Sequence, residues 1–397
     1  DSDLVREVMC TDLDESPQGS KASTSSYDEG SDRDVSSESL LTTVPSETDS
    51  PATASSTSST SSSPESDLVG CFTPSEATSV PDVQEPPELE IEQPEVEIEQ
   101  PESFEDGYLV HQKVGEGAFG VVFRCTSKRT GLEHAVKVVR KDKLPSHALH
   151  ALLGDEFSGR EGEISLHHSL PPHKNIVALY ACFHEPQNVR LVMDVCRGGD
   201  LFDVLKQAKL TNRAQGRDAC LSESASAALV KQVMAALGFC HEHGIVHRDV
   251  KAENVLLSEP EESMPLDQGG AVVKLCDFGL AARCHAADGD VLKDPVGSPD
   301  YVAPEVVRQI PYGQAVDVWS AGVLLFACLR GRVPFPAKTD REALRLVKEG
   351  KVVWDDGWSQ VSPEARTCTE SLLRVGPADR PTAMRAQEHP FFCKFES

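Results

Sequence analysis

Asp249, Lys251, Asn254 and Asp277 are the residues of this 397-residue chain whose types and spacing could do chemistry. They lie in His247-Arg248-Asp249-Val250-Lys251-Ala252-Glu253-Asn254 and, beyond a polar interval, in Asp277-Phe278-Gly279. In order, they supply a carboxylate able to act as general base, a cation beside it and two oxygen ligands for a hard metal ion. Phosphoryl transfer from ATP uses such parts. It needs little covalent chemistry from a protein, but it does need an aligned hydroxyl, a metal clamp and charge neutralisation. It further needs a phosphate-covering loop, a Lys on a strand, a Glu on a helix and a platform for the acceptor.

The elements that would hold these groups follow one another along the chain. Leu109-Val110-His111-Gln112-Lys113-Val114 reads as a strand. It runs into Gly115-Glu116-Gly117-Ala118-Phe119-Gly120-Val121-Val122, a G-x-G-x-x-G-x-V spacing whose glycines let the backbone bend tightly and approach phosphates. Dinucleotide sites share part of that spacing, but there the third Gly opens a helix. Here Val121, Val122 and Phe123 continue as a strand, so a hairpin lid is expected. His134-Ala135-Val136-Lys137-Val138-Val139 is a strand with a Lys inside it, costly to bury unpaired. Glu163 is its candidate partner and Glu161 the runner-up, with Gly162 weakening the helix locally. Residues 141–159 exceed what that pairing needs and leave room for an extra helix or loop. Strands are expected from Asn175 and over 190–196, and Asp200 near the start of a helix. Residues 206–218 read as an extended loop, 258–270 as a long polar hairpin and 316–329 as a buried helix.

With the later runs Ala303-Pro304-Glu305 and Ala378-Asp379-Arg380-Pro381-Thr382, residues 108–392 resemble the eukaryotic protein kinase family. The Gly loop, A-x-K, H-R-D-x-K-x-x-N, D-F-G and A-P-E occur once each in the family's order. Lys251, two residues after Asp249, looks like the Ser/Thr branch. Residues 292–305 look closest to the calcium/calmodulin-dependent kinase group, including plant-type calcium-dependent kinases. The chain ends soon after His389-Pro390-Phe391-Phe392 and carries no D-x-D-x-D-G loop, so direct calcium control is not expected. The resemblance implies an α+β, bilobal fold. A small antiparallel sheet with one helix, αC, would cover about 108–193, and a mainly helical lobe about 197–392.

The resemblance also implies roles. Asp249 orients the acceptor hydroxyl and takes its proton; Lys251 contacts the transferring phosphate; Asn254 and Asp277 hold Mg2+; Lys137 and Glu163 pair. Gly115, Glu116, Gly117, Ala118, Phe119 and Gly120 form the loop over the ATP phosphates. Val114, Val122, Ala135 and Leu256 sandwich the adenine, the backbone of Asp194 and Cys196 bonds it, and Met193 is the gatekeeper. Cys276 would sit beside the nucleotide as a packing thiol. Asp200 belongs with the nucleotide-contacting positions; with Glu253 it also matches positions that receive a substrate Arg in several basophilic relatives. Ser298 would bond the Asp and Lys of the catalytic loop, Glu305 would pair with Arg380, and Asp317 would brace that loop. Ala252 replaces the family's common Pro.

No Ser, Thr or Tyr lies between Leu280 and Gly297, and Asp294 stands where many relatives carry a phosphothreonine. Either it faces Arg248 and activation needs no phosphate in this segment, or it is a solvent-exposed loop acid. The expected function is an ATP- and Mg2+-dependent Ser/Thr kinase of protein substrates, expected to be a monomer. A partner-binding pseudokinase or scaffold is the alternative, with all the catalytic positions present against it.

A net charge of −26 argues against nucleic acid or anionic membrane as partner. There is no bilayer-spanning apolar run. The chain opens on Asp1 without a charged-then-apolar leader, so a cytoplasmic or nuclear protein is expected, neither secreted nor transmembrane. The twelve cysteines lack ligand-like spacing and read as reduced thiols. Residues 1–104 read as a disordered tail, Ser/Thr/Pro-rich and then acidic. It holds Ser16-Pro17, Ser50-Pro51, Ser63-Pro64 and Thr73-Pro74, either sites for a proline-directed kinase or chance dipeptides. Ile91-Glu92-Gln93-Pro94-Glu95 repeats at Ile98-Glu99-Gln100-Pro101-Glu102, as in an extended acidic linker.

Overall fold

The structure is a computed structural model that describes residues 102–395, apart from 118–119, 156–160, 217–219, 261–262, 264–265, 267–269, 286–288 and 290. The expectations for the tail through residue 101 lie outside the described residues.

A five-stranded antiparallel sheet, in the order β1-β2-β3-β5-β4, opens the fold. Its strands are β1 (Tyr108–Gly117), β2 (Gly120–Ser127), β3 (Glu133–Arg140), β4 (Leu179–His184) and β5 (Asn188–Met193). Directly opposed residues share a face of a sheet, and alternate residues take opposite faces. Val122 opposes Lys137, and Ala135 opposes Met193, so these four present one face. Val136 opposes Val192 and belongs to the other face. There it packs with Cys125, Ala181, Phe183 and Phe104.

Phe104, expected as the last residue of the disordered tail, is ordered. It opens helix α1 (Phe104–Gly107), capped by Ser103, and is buried beneath the sheet. The Arg190 guanidinium lies over its ring at 4.5 Å and also meets Glu105 at 2.9 Å. An aromatic side chain that fills an apolar face offsets the entropy of ordering four residues, which composition alone does not reveal.

On the face that carries Lys137, Val139, Leu191 and Leu152 form a second cluster under α2 (Ser146–Leu153) and α3 (Glu163–His168). The extra segment therefore contains a helix. Gly162 does not interrupt α3; it is its N-cap. A Cβ there would lie 2.2 Å from the Gly154 backbone nitrogen, so the end of α2 packs directly on the start of α3. Asn175 lies in a turn, Ile176 makes an isolated parallel bridge with Leu275, strand β4 begins only at Leu179, and β5 ends at Met193 rather than Cys196.

The helical lobe holds α4 (Leu201–Ala214), α5 (Glu223–Glu242), α6 (Ala315–Arg330) and α7 (Pro363–Leu372). Helix α4 overturns the expected loop over 206–218 up to Ala214. Asp200 caps it, and Leu201 and Leu205, four apart on one face, are buried against the lobe. Helix α6 is buried from Val316 to Arg330, as an apolar helix without a polar face must be. A Cβ at Gly322 would lie 2.7 Å from the Leu372 Cβ, so α6 and α7 approach closely there. Ser362 caps α7 while its hydroxyl donates to Glu223 at the start of α5.

The Glu305–Arg380 pair ties the A-P-E segment to this lobe. Arg380 donates to Glu305 through both terminal nitrogens at 2.7 and 2.8 Å, with neither side chain more than 3% exposed. Its remaining donors reach the Arg374, Ala315 and Val375 carbonyls. Removing one member strands a buried charge. Arg380→Met is expected to lower unfolding stability by about 3–5 kcal/mol, measured by urea denaturation; a change under about 1 kcal/mol would show that the pair is dispensable.

Candidate active site

Two short strand pairs frame the site. β6 (Ile245–Val246) pairs with β9 (Ala282–Arg283), and β7 (Val255–Leu257) pairs with β8 (Val273–Leu275). Between β6 and β7 runs the loop with Asp249; after β8 comes Asp277. The Asp317 carboxylate of α6, fully buried, accepts the His247 N–H at 2.9 Å and the Arg248 N–H at 2.8 Å, and meets His241 Nε2 at 2.9 Å. It thereby holds Arg248 at φ 67, a conformation unfavourable for a residue with a Cβ.

The next residue, Asp249, is a hub. Its Oδ1 accepts Ser298 Oγ at 2.7 Å and the Ser298 N–H at 3.2 Å. Its Oδ2 accepts Lys251 Nζ at 2.8 Å and Asn254 Nδ2 at 3.1 Å. Lys251 also donates to Ser298 Oγ at 3.0 Å. These groups arrive from the loop of Asp249 itself and from the far end of the activation segment (residues 277–305), so the carboxylate has one orientation.

Phe278 is stacked on His167 of α3, ring centroids 4.6 Å apart, and meets His247 edge-on at 5.0 Å. Asp277, at φ 64, opens onto the cleft. Surrounding protein opposes its charge, but Lys137, His247 and Lys251 outweigh that and hold its pKa below the ordinary range. A Cβ at Gly279 would lie 3.2 Å from Asp277 Oδ1 and 3.4 Å from Glu163 Oε2, so a glycine lets the two carboxylates approach.

Lys137 Nζ lies 3.6 Å from Glu163 Oε1. Burial works against the ammonium, yet Glu163 and Asp277 raise its pKa. Burial raises the Glu163 carboxyl, while Lys137 draws it the other way. We take Lys137 as the charged partner at neutral pH, since both nearby carboxylates favour its proton. The runner-up, Glu161, pairs instead with Arg283.

Val114 is exposed on β1, Leu256 is half-buried on β7, and Ala135 is buried on β3. Met193, Asp194 and Cys196 lie where β5 becomes the connection to α4. The Asp194 side chain turns away to accept from the Ala178 N–H and the Tyr180 hydroxyl, and it pairs with Lys274. Glu116 pairs with Lys113 at the tip of β1. A Cβ at Gly120 would lie 2.5 Å from the Val138 carbonyl, whereas Gly117 has open space. Ala118 and Phe119 lie outside the described residues. The Cys276 thiol is pushed well up by burial, consistent with packing.

Comparison with known proteins decides the family. The protein kinase domain model matches residues 108–392. The chain belongs to the protein kinase domain family. Calcium-dependent protein kinase 5 of Oryza sativa subsp. japonica is 35% identical to this kinase domain chain over 292 residues, 73% of this chain and 48% of that protein. Calcium-dependent protein kinase 6 of Arabidopsis thaliana is 35% identical over 293 residues, 74% and 49%. Calcium/calmodulin-dependent protein kinase type II of Caenorhabditis elegans is 34% identical over 294 residues, 74% and 37%. The chain spans about half the length, or less, of these relatives.

Three groups in this kinase domain escaped sequence reasoning. Tyr312 donates to the Asp294 carbonyl at 2.6 Å and receives an Arg248 N–H at 3.2 Å. Arg283 reaches α3. His167 joins α3 to Phe278; its place four residues after Glu163, on the same helix face, is the one local signal available.

The His167 Nε2–H donates to the Val177 carbonyl at 2.6 Å, and burial pushes its pKa down to about 4. The unfolded ring titrates near 6.5. Between these values the unfolded chain binds a proton that the folded one refuses. The stability held by the neutral ring is therefore complete above about pH 6.5 and falls toward pH 4, by up to roughly 3 kcal/mol. His167→Gln keeps a donor but does not titrate. Its urea midpoint is expected to fall less steeply with acidification than that of wild type, by about one proton; parallel slopes would show that His167 is not the group.

Proposed function

We propose that this chain is a protein Ser/Thr kinase that uses ATP and Mg2+ to phosphorylate hydroxyls of protein substrates. The observation that carries this reading is the orientation of Asp249 by Lys251, Ser298 and Asn254 while Lys137 and Glu163 already face each other. Asn254 Nδ2 donates to the Asp249 carbonyl and carboxylate, which leaves the amide oxygen as a ligand. Asp277 adds a carboxylate, so the donors suit a hard cation such as Mg2+. Held by Asn254 and Asp277, the cation would supply positive charge against the negative charge developing on the transferring phosphate.

The chain's own residues do the rest. Four hydrogen bonds fill the two Asp249 oxygens, so a substrate hydroxyl would replace one of these donors to bond there and be aimed along the transfer line. Asp249 takes that proton as the new P–O bond forms and the γ-phosphate leaves ADP. Lys251, held against Asp249 and Ser298, presents its charge to the transferring phosphoryl oxygens. Lys137 meets the α- and β-phosphates, positioned by Glu163. Val114, Val122, Ala135 and Leu256 enclose the base, the Asp194 and Cys196 backbone bonds it, Met193 limits its depth, and Gly115 to Gly120 cover the phosphates.

Asp294 supports activity without phosphate in the activation segment. Its Oδ2 lies 3.4 Å from Arg248 Nη1; the Arg248 side chain is 2% exposed and that of Asp294 is 51% exposed, so the acid faces both Arg248 and solvent. A carboxylate supplies part of the charge that a phosphate would bring there. Glu253 supports basic substrates: its Oε2 is buried with no hydrogen-bond partner, and burial raises its pKa. Asp200, also raised by burial, lies close enough to add to that rise. An Arg or Lys upstream of the target hydroxyl would relieve both carboxylates. Nine described cysteines, Cys284 not among them, are free thiols, which suits the reducing cytoplasm or nucleus. Among the described residues no helix is long and apolar enough to cross a membrane.

The test is Mg-ATP turnover on a degenerate Ser/Thr peptide library. Wild type is expected to transfer phosphate with a preference for upstream Arg, Asp249→Asn to lose at least about 100-fold in rate, and Glu253→Gln to lose the Arg preference while still turning over. Undiminished transfer by Asp249→Asn would overturn the mechanism, and an unchanged peptide profile for Glu253→Gln would remove the basic-substrate reading.

A further inference from the structure

The helix that carries Glu163 is six residues long, and its N-cap, Gly162, offers no side-chain cap. A helix so short does not persist by itself, because nucleation costs more than one turn of hydrogen bonds returns. Something outside it must fix where Glu163 points. Part of the answer is the packing of Gly162 on the end of α2. The rest comes from across the cleft.

Arg283 lies on β9, in the activation segment. Its Nε meets Glu161 Oε2 at 2.5 Å and its Nη2 meets Glu161 Oε1 at 2.9 Å. Both Glu161 oxygens are thus taken in the parallel geometry that fixes orientation as well as distance. The same Nη2 donates to Ser169 Oγ at 3.3 Å, and Nη1 donates to the His243 carbonyl at 3.3 Å. Glu161 precedes the N-cap of α3, and Ser169 is its C-cap. One guanidinium therefore holds the chain on both sides of the helix, and its anchor at His243 belongs to the helical lobe. β9 also pairs with β6, whose next residue is His247. The clamp is continuous, through main-chain pairing, with the loop that carries Asp249.

We propose that Arg283 and Glu161 are positioning residues that hold α3 against the activation segment, and so set the Lys137–Glu163 pair without a phosphate group. The proposal rests on the kinase reading above. It accounts for two acids so close together having separate duties: Glu163 turns inward to Lys137, and Glu161 turns outward to Arg283. Glu161 and Arg283 are each about one-third exposed, at 39% and 32%, so the pair acts by geometry more than by bulk stability.

The test uses the full chain as wild type, Arg283→Met, Glu161→Gln and the exchange Glu161→Arg with Arg283→Glu. Each single variant is expected to raise KM for ATP and lower kcat by about two- to five-fold each, with the thermal midpoint nearly unchanged. In the nucleotide-free protein, amide hydrogen exchange over residues 163–168 should quicken in the singles. The exchanged pair should regain part of both losses. Singles that match wild type in exchange rate over 163–168 would overturn the proposal, as would an exchanged pair that falls by the product of two independent losses. Because hydrogen exchange needs no turnover, this outcome separates from failure of the kinase reading, which would appear as wild type lacking phosphotransfer altogether.

Discussion

The site depends first on a carboxylate that touches no substrate. Asp317 is fully buried in α6, where an uncompensated charge would be expensive. It is compensated by two main-chain N–H groups of the loop and by His241, and these partners hold its pKa below the usual range although burial opposes them. In return it keeps Arg248 in a backbone conformation that otherwise costs about 1 kcal/mol. That one turn sends the Arg248 side chain toward Asp294 and Tyr312 and leaves Asp249 facing Ser298. Loss of the brace would misdirect both sides of the loop at once.

The cleft then gathers acids. Asp249, Asp277, Glu163, Glu253 and Asp200 converge on it, against Lys137 and Lys251. Like charges in so small a volume repel, and the structure relieves this by pairing where it can: Lys251 with Asp249, Lys137 with Glu163. The carboxylates left over are those a metal ion and a basic peptide would neutralise. That excess of acid is what the proposed metal ion and basic substrate would offset.

Much of the site was legible because its motifs are local. His247 to Asn254, Asp277 to Gly279 and the glycine loop each lie within a few residues, and their residue types state their chemistry. The Glu305–Arg380 and Asp317 braces were legible only through the family resemblance, since they join residues far apart in sequence. The hydroxyl of Tyr312, the guanidinium of Arg283 and the ring of His167 went unread because ordinary residue types acquire their meaning from what the fold brings beside them. Phe104 was missed because it follows an acidic, Pro-rich run whose composition outweighs a single aromatic. Helix α4 was taken for a loop past Lys206 because its exposed face is polar, and its buried stripe is only Leu201 and Leu205.

In the proposed function, carboxylates and not a phosphate hold this catalytic loop ready. The direct measurement is single-turnover transfer from Mg-ATP to an Arg-containing Ser peptide by protein whose intact mass shows no phosphorylation, with the Asp294→Ala variant alongside. Wild type is expected to give product without a lag, and Asp294→Ala to transfer several-fold more slowly. A wild type that stays silent until it has itself been phosphorylated, or an Asp294→Ala variant as fast as wild type, would contradict it.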